Sequence, residues 1–231
     1  MSEIYRPKIA ILASGGGTTA EAFIHATQDG RVNAEVGLVI CNNHPEKVDI
    51  YDRISKLNKL YGLDIETRHI NGIMYPAGKE GRGQTLEESE VICNLINRGK
   101  FGHVALMGYM KEVRGALVDE YGWLPEYSSI YQARMTNTHP GPLPETKSTY
   151  GIYTSERVLE LGMIASKHTM HLVSAGIDLG PIIAEHPVDV FCGDTSQDLF
   201  NRVQIVEKEN YPTSLDKFLH DQINYIDGNN L

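Results

Sequence analysis

Short segments that read as strands alternate with amphipathic segments along the first part of this chain. They fall at 8–13, 35–41, 64–70 and 103–107, and a fifth contains Asn137. Between them, apolar residues recur at helical spacing, as at Ile50, Ile54 and Leu57. This alternation of strands and helices predicts an α/β fold of the Rossmann-like kind, in which helices cover both faces of a doubly wound, mostly parallel sheet.

Two later segments, 166–173 and 182–190, follow a different pattern. They read as strands with only a loop between them, which predicts an antiparallel hairpin appended to the parallel sheet. Asp194-Thr195-Ser196 has the residues of a helix cap, so a last helix is predicted to start there and to break near Pro212. No internal repeat or change of composition marks a linker, and we expect residues 1–231 to form a single domain.

The first predicted strand runs directly into Ser14-Gly15-Gly16-Gly17-Thr18-Thr19, and a helical pattern begins at Ala20. Glycines let backbone N–H groups approach a ligand, and a helix N-terminus favours negative charge, so this turn predicts an anion site. It is not a Walker A loop, and Ala20 stands where a dinucleotide fingerprint has its third glycine. A tight turn with no ligand remains the alternative.

Asn137 and His139 are two residues apart in the fifth predicted strand, so their side chains point to the same face. An amide donor beside an imidazole is a pair that can polarise a carbonyl. Three prolines follow in Pro140-Gly141-Pro142-Leu143-Pro144 and must end the strand in a stiff loop at the sheet edge, where α/β proteins place their sites. The alternative is an ordinary proline turn with a hydrogen-bonded histidine.

The connection over 71–85 is long for a compact domain and contains four glycines. Lys79 and Arg82 place basic groups on it, for contact with a ligand or simply with solvent.

Composition narrows the classes of partner. The net charge of −9 argues against nucleic acid and anionic membranes, but a local site can still take a phosphorylated small molecule. Three widely spaced cysteines indicate neither a zinc motif nor a disulfide framework. The N-terminus has no signal segment and no run reaches the length of a membrane span. We expect a soluble, cytoplasmic protein with small-molecule substrates, either monomer or homodimer.

Together, the Gly15-Gly16-Gly17 turn, the motif Asn137-Thr138-His139-Pro140 and a later stretch from His171 to Asp178-Leu179-Gly180-Pro181 resemble the folate-dependent formyltransferases. The resemblance covers about residues 8–215 in the family's order. It implies one formyltransferase domain whose N-terminal half binds the nucleotide and whose C-terminal half is catalytic and binds folate. The implied reaction moves a formyl group from the co-substrate 10-formyltetrahydrofolate, without a metal, to the amine of glycinamide ribonucleotide in purine biosynthesis.

The resemblance also implies roles for particular residues. Asn137 and a protonated His139 would stabilise the tetrahedral oxyanion, and Asp178 would manage the proton and orient His139. Substrate contacts are implied for Gly15, Gly16, Gly17, Thr18 and Thr19 at the phosphate and for Glu207 at the ribose hydroxyls. Folate contacts are implied for Arg82, Tyr109, Met110, Lys111, Val113 and Ile177.

Two related activities remain as alternatives: hydrolysis of the formyl-folate, and formyl transfer to another amine such as an amino-sugar nucleotide. The hydrolases typically carry an N-terminal regulatory domain, whereas the first strand here begins at about residue 8. Formylation of methionyl-tRNA would ask for a basic C-terminal domain. A non-catalytic nucleotide-binding regulator would have no use for Asn137, His139 and Asp178 together.

Overall fold

A seven-stranded sheet forms the centre of the molecule. The structure, a computed structural model, describes residues 6–72 and 83–229. In chain order the strands are β1 (Lys8–Ala13), β2 (Glu35–Cys41), β3 (Glu66–His69), β4 (His103–Leu106), β5 (Met135–His139), β6 (Ala165–Leu172) and β7 (Ile182–Asp189). Their spatial order is β3-β2-β1-β4-β5-β6-β7. The strand order therefore reverses between β1 and β4, and a parallel α/β sheet binds its ligands at such a reversal.

Helices cover both faces of the sheet. They are α1 (Thr18–Gln28), α2 (Ile50–Tyr61), α3 (Leu86–Arg98), α4 (Ala116–Tyr121), α5 (Ile152–Glu160) and α6 (Ser196–Asn229). One core cluster packs α1, α2 and α6 against the sheet, and a second packs α3 and α4 against the other face. Strands β1 and β4 are mostly apolar, and both of their sides are buried apart from Lys8 at the start of β1.

The last strands add the predicted antiparallel part. β1 to β5 pair in parallel, whereas β5 pairs antiparallel with β6 and β6 antiparallel with β7. The register sets Asn137 opposite His171 and His139 opposite Thr169. The predicted fold class, a doubly wound mostly parallel sheet with an appended hairpin, is confirmed.

The predicted break near Pro212 is wrong, because α6 continues through Pro212 to residue 229. Proline removes one N–H from the helical ladder, which ordinarily kinks or ends a helix. Here Tyr211 and Leu215, on either side of the proline, are fully buried against the sheet. Tertiary packing of this apolar face outweighs the local cost of the proline. Within the described residues, no helix is both long enough and apolar enough to cross a membrane.

Candidate active site

A cavity of about 560 Å³ opens where the strand order reverses. It is bordered by the loops after β1 and β4 and by the end of β5. All but one of the predicted site residues line it: Gly15, Gly16, Gly17, Thr18, Thr19, Tyr109, Met110, Lys111, Val113, Asn137, His139, Ile177, Asp178 and Glu207. The exception, Arg82, lies outside the described residues. In the part of the chain that the structure describes, no cluster of histidine, cysteine and acidic side chains could hold a metal ion.

The glycine turn forms one end of the cavity. Gly17 precedes α1 with a left-handed φ of 74°, and no side chain caps the helix, so its first N–H groups remain available to a ligand. Arg53 Nε donates to the Gly16 carbonyl at 2.8 Å, and the same guanidinium is paired with Glu21. The turn is therefore held by a neutralised arginine and presents backbone dipoles to the cavity, as an anion site requires.

Glu207, on α6, lies beside this end of the cavity. Its Oε1 accepts hydrogen bonds from the Thr19 hydroxyl at 2.9 Å and from the Thr138 hydroxyl at 3.1 Å. Burial raises the pKa of Glu207, against the lowering effect of these two hydrogen bonds. The carboxyl group is thus fixed by residues of α1 and β5 and faces the cavity as a hydrogen-bonding group.

Asn137 and His171 form the floor of the other end. His171 Nδ1 lies 2.8 Å from the Leu172 carbonyl, which can only accept, so Nδ1 carries the proton in the neutral ring. Nε2 is then an acceptor, and the Asn137 amide nitrogen donates to it at 3.0 Å. That bond uses one of the two amide hydrogens of Asn137 and fixes the direction of the other.

His139 is nearly fully buried, with 3% of its side chain exposed. Its Nε2 lies 2.9 Å from the Thr146 hydroxyl, and its Nδ1 lies 3.6 Å from Asp178 Oδ2. Burial lowers the pKa of His139 to about 4; the Asp178 carboxylate opposes this shift and His171 adds to it. Desolvation of the ring therefore favours its neutral form and opposes the carboxylate, which favours the protonated one, so the protonated His139 that the resemblance implies stays a prediction.

Asp178 joins the two histidines. Oδ2 faces His139, Oδ1 lies 3.5 Å from His171 Nε2, and the Ser148 N–H donates to Oδ2 at 3.0 Å. Burial raises the pKa of Asp178, but the nearby His171 and His139 rings and the Ser148 N–H together outweigh it, so the net pKa is lowered. Asp178 is therefore a carboxylate near neutral pH.

The loop that carries Asp178 is tightly folded. Asp178 itself has a φ of 53°, a left-handed conformation that aspartate tolerates better than most residues. At Gly180, a Cβ atom would lie 1.8 Å from the Leu172 carbonyl oxygen, so only glycine fits. This close approach explains why the sequence Asp178-Leu179-Gly180-Pro181 holds the carboxylate over β5 and β6.

The segment from Tyr109 to Val113 lines a third wall. Tyr109 is buried, and its hydroxyl accepts from Gln84 at 3.0 Å. Lys111 is paired with the fully buried Glu88 at 2.5 Å, which ties this segment to α3. Met110 is 42% exposed and, with Ile177 at 38%, gives the cavity an apolar surface suited to a flat ring.

Two contacts of the site were missed by the sequence analysis. His171 was noted only as the start of a motif, because its position opposite Asn137 depends on the hairpin register. Thr146 follows the proline loop, and its contact with His139 depends on how that loop folds back. The signal that could have identified His171 was a histidine in the strand that follows β5 in the chain, where it can pair with Asn137 across the sheet.

Comparison with known proteins gives a consistent result. The family model described as formyl transferase matches residues 7–215. The phosphoribosylglycinamide formyltransferase of Escherichia coli is 25% identical over 96% of this chain and 95% of its own length. The crystal structure of glycinamide ribonucleotide transformylase 1 from Symbiobacterium toebii superposes with a TM-score of 0.77 at 26% identity, covering 94% of this chain and 89% of that one.

A longer relative matches as well. The human trifunctional purine biosynthetic protein adenosine-3 is 28% identical over 91% of this chain. The match covers 18% of the human protein, so this chain corresponds to about a fifth of the length of that relative.

Proposed function

This chain belongs to the formyl transferase family, and we propose that it transfers a formyl group from 10-formyltetrahydrofolate to the amine of glycinamide ribonucleotide in purine biosynthesis. One observation carries the proposal. A single cavity joins an anion-binding glycine turn to a cluster that can polarise a carbonyl, at Asn137, His139 and Asp178. A phosphorylated amine that reaches from one end to the other matches that arrangement. The names of the relatives in Escherichia coli and Symbiobacterium toebii point to the same substrate.

The cluster fits attack of an amine on a formyl carbon. The amine nitrogen forms a new C–N bond, and the carbonyl electrons move to oxygen, giving a tetrahedral oxyanion. The second amide hydrogen of Asn137 is directed by its bond to His171 and would donate to that oxyanion. Collapse of the intermediate re-forms the carbonyl and breaks the bond to the folate nitrogen.

The proton of the attacking amine needs an acceptor at the same moment. The Asp178 carboxylate would manage that proton, and it would also orient His139, whose Nδ1 lies 3.6 Å from Oδ2. His139 in its protonated form would support the oxyanion beside Asn137.

The rest of the cavity would hold the two substrates. The phosphate would sit on the turn from Gly15 to Thr19, and its charge would meet the free N–H groups of α1. The ribose hydroxyls would donate to Glu207. The folate ring would lie against the segment from Tyr109 to Val113 and Ile177, with Arg82 near its tail.

We extend the proposal to the organisation of the chain. Residues 1–231 would act as one formyltransferase domain, nucleotide-binding in the N-terminal half and catalytic and folate-binding in the C-terminal half. Strands from both halves belong to one sheet, which supports this view. The reaction would take place in the cytoplasm with two small-molecule substrates, and no nucleic acid or membrane would take part.

A panel of amines tests the proposal. Purified protein is mixed with 10-formyltetrahydrofolate alone, with glycinamide ribonucleotide or with an amino-sugar nucleotide, and both folate release and formate are followed. We expect slow consumption without an amine and stoichiometric formylated product with glycinamide ribonucleotide. Rapid formate release that ignores the added amine would identify a hydrolase instead, and product only with the amino sugar would replace the proposed acceptor.

A further inference from the structure

We propose that Thr138, with its hydroxyl oriented by His168, is a positioning residue that fixes the carboxylate of Glu207 for contact with the ribose hydroxyls. The inference deepens the proposed function and rests on it. Thr138 lies in β5 between Asn137 and His139, and alternate residues of a strand point to opposite faces. The strand that carries the proposed catalytic pair therefore also supports, from its other face, the carboxylate proposed to bind the substrate.

Glu207 is held through one of its two oxygens. Both Glu207 and Thr138 are buried, and both border the cavity. The hydroxyls of Thr19 and Thr138 donate to the same oxygen, Oε1, at 2.9 Å and 3.1 Å. These two donors belong to α1 and β5, whereas Glu207 belongs to α6. The direction of the carboxylate is thus fixed by two other elements, and Oε2 is the oxygen that remains for the hydroxyl groups of a ligand.

The Thr138 hydroxyl has a second partner, which decides how its single hydrogen is used. His168 Nε2 lies 2.6 Å from the same hydroxyl oxygen. The hydrogen of Thr138 is donated to Glu207, because a carboxylate oxygen can only accept, so the hydroxyl oxygen accepts from an N–H at His168 Nε2. His168 is fully buried and does not border the cavity, so it acts on the ligand site only through Thr138.

A second threonine–histidine pair on the same face of β5 provides a comparison. Thr136 precedes Thr138 by two residues, and His103 Nε2 lies 3.0 Å from its hydroxyl oxygen. Thr136 and His103 are fully buried, and neither borders the cavity. This pair belongs to the interior of the sheet, whereas the pair at Thr138 leads to a carboxylate that faces a ligand. Substitutions at the two threonines therefore separate a structural role from a positioning role.

The experiment compares two sugar phosphates that differ by one hydroxyl group. Calorimetry on the full chain measures the affinities for ribose 5-phosphate and 2-deoxyribose 5-phosphate, so the identity of the amine acceptor plays no part. The wild type should bind ribose 5-phosphate about tenfold more tightly, as expected for one hydrogen bond to a charged group. In Thr138→Val this preference should fall to about twofold or less, because the carboxylate is no longer held in place. Thr138→Ser keeps the hydroxyl and should retain the preference.

Thr136→Val is the matched control, and it should lower the thermal midpoint without changing the preference. His168 gives a second matched pair. His168→Leu removes the donor to Thr138 and should weaken the preference, whereas His168→Gln keeps a donor and should retain it. An unchanged preference in Thr138→Val, or an equal loss in Thr138→Val and Thr136→Val, would overturn the proposal.

The carboxylate can also be followed without any ligand. Burial raises the pKa of Glu207, and two hydroxyl hydrogen bonds and the charge of Lys208 act to lower it. Two other ionisable groups in this region are uncharged near neutral pH, since burial lowers the pKa of His168 to about 3 and raises that of Tyr211. The pKa of Glu207 should therefore rise further when the Thr138 hydroxyl is removed, because that hydrogen bond favours the charged form.

¹³C NMR of the Glu207 carboxyl group measures this pKa in each variant. We expect a rise in Thr138→Val and no change in Thr136→Val. If Thr138→Val does not fold, His168→Leu should give a rise in the same direction, and an unchanged pKa in His168→Leu would overturn the proposal. A wild type that binds both sugar phosphates equally would instead remove Glu207 from the ribose site. That failure of the proposed function is distinguishable, because it shows in the wild type before any substitution is made.

Discussion

The two ends of the cavity are built from different groups, backbone N–H groups at one end and side chains at the other. At one end, consecutive residues of the turn from Gly15 to Thr19 present backbone N–H groups that carry no ionisable charge. At the other, Asn137, His139, His171 and Asp178 come from two strands and a loop and meet through side chains. The first end acts as a fixed dipole, whereas the second depends on which ring nitrogens of His139 and His171 carry protons. Binding of the phosphate and chemistry at the formyl carbon are therefore expected to respond to different perturbations.

The substitution His139→Ala should separate chemistry from substrate binding most strongly. Removing the imidazole should lower kcat by about 10²–10⁴-fold, the usual range for a positioned acid or base. Affinity for glycinamide ribonucleotide, measured by calorimetry, should change little because the glycine turn is untouched. His220→Ala, at an exposed histidine on α6, serves as the control. A His139 variant with near-wild-type turnover would remove this residue from the mechanism.

Asn137→Ala should have the next largest effect. Loss of one oxyanion donor costs on the order of 10²–10³-fold in kcat. His171 also loses its amide partner, so the variant needs a check of folding by circular dichroism. A rise in KM for the ribonucleotide with unchanged kcat would show that Asn137 binds substrate rather than the transition state.

A change at the glycine turn should give the opposite pattern. A Cβ at Gly16 meets no protein atom within 4 Å, so Gly16→Val should fold while its side chain occupies the space of the phosphate. We expect KM for the ribonucleotide to rise by roughly tenfold or more, since tenfold is only about 1.4 kcal/mol of binding, with KM for the folate unchanged. Equal rises in both constants would make the turn a purely structural feature.

Gly17→Val provides the contrast to Gly16→Val. At Gly17, φ is 74° and a Cβ would approach Ile50 to 2.6 Å. This variant should lower the thermal midpoint and so separate the residue that shapes the turn from the residue that faces the ligand.

The same contrast decides what the sequence could predict. The glycine turn is contiguous, so Gly15 to Thr19 could be placed from a strand, three glycines and a helix start. Asn137 and His139 followed from the two-residue period of a strand. His171 and Thr146 could not be placed, because their contacts depend on a hairpin register and on a loop that folds back on itself.

Magnitudes were harder to predict than directions. The resemblance implied a protonated His139 beside Asp178; the carboxylate acts to raise the pKa of His139, but burial of the ring has the larger effect and the net pKa is lowered. The depth of burial depends on the whole fold. Pro212 is a similar case: proline disfavours a helix interior locally, but burial of the apolar face of α6 outweighs that preference.

The smallest expected effect is a change in stability with pH, and it arises from a histidine near the end of the cavity that is built from side chains. His168, on β6, is fully buried, and its Nε2 lies 2.6 Å from the Thr138 hydroxyl. Burial lowers the pKa of His168 to about 3, with His186 and His139 adding to the shift. The glycine turn contains no residue that titrates in this range.

The sign of the pH dependence follows from the lowered pKa. Above pH 6.5 His168 is neutral in the folded and the unfolded chain and adds nothing to the pH dependence. As the pH falls from 6.5 towards 3, the unfolded chain takes up a proton that the folded chain refuses, so the free energy of unfolding decreases. The decrease is at most about 1.4 kcal/mol per pH unit for one group.

His168→Gln keeps a donor for Thr138 and removes the titration, so urea unfolding between pH 7 and pH 5 should show a shallower loss of stability than the wild type. His220→Gln, at an exposed position, should leave the slope as it is. If His168→Gln and the wild type lose stability in parallel, His168 is protonated as readily in the folded chain as in the unfolded one, and the pH dependence of the fold arises elsewhere.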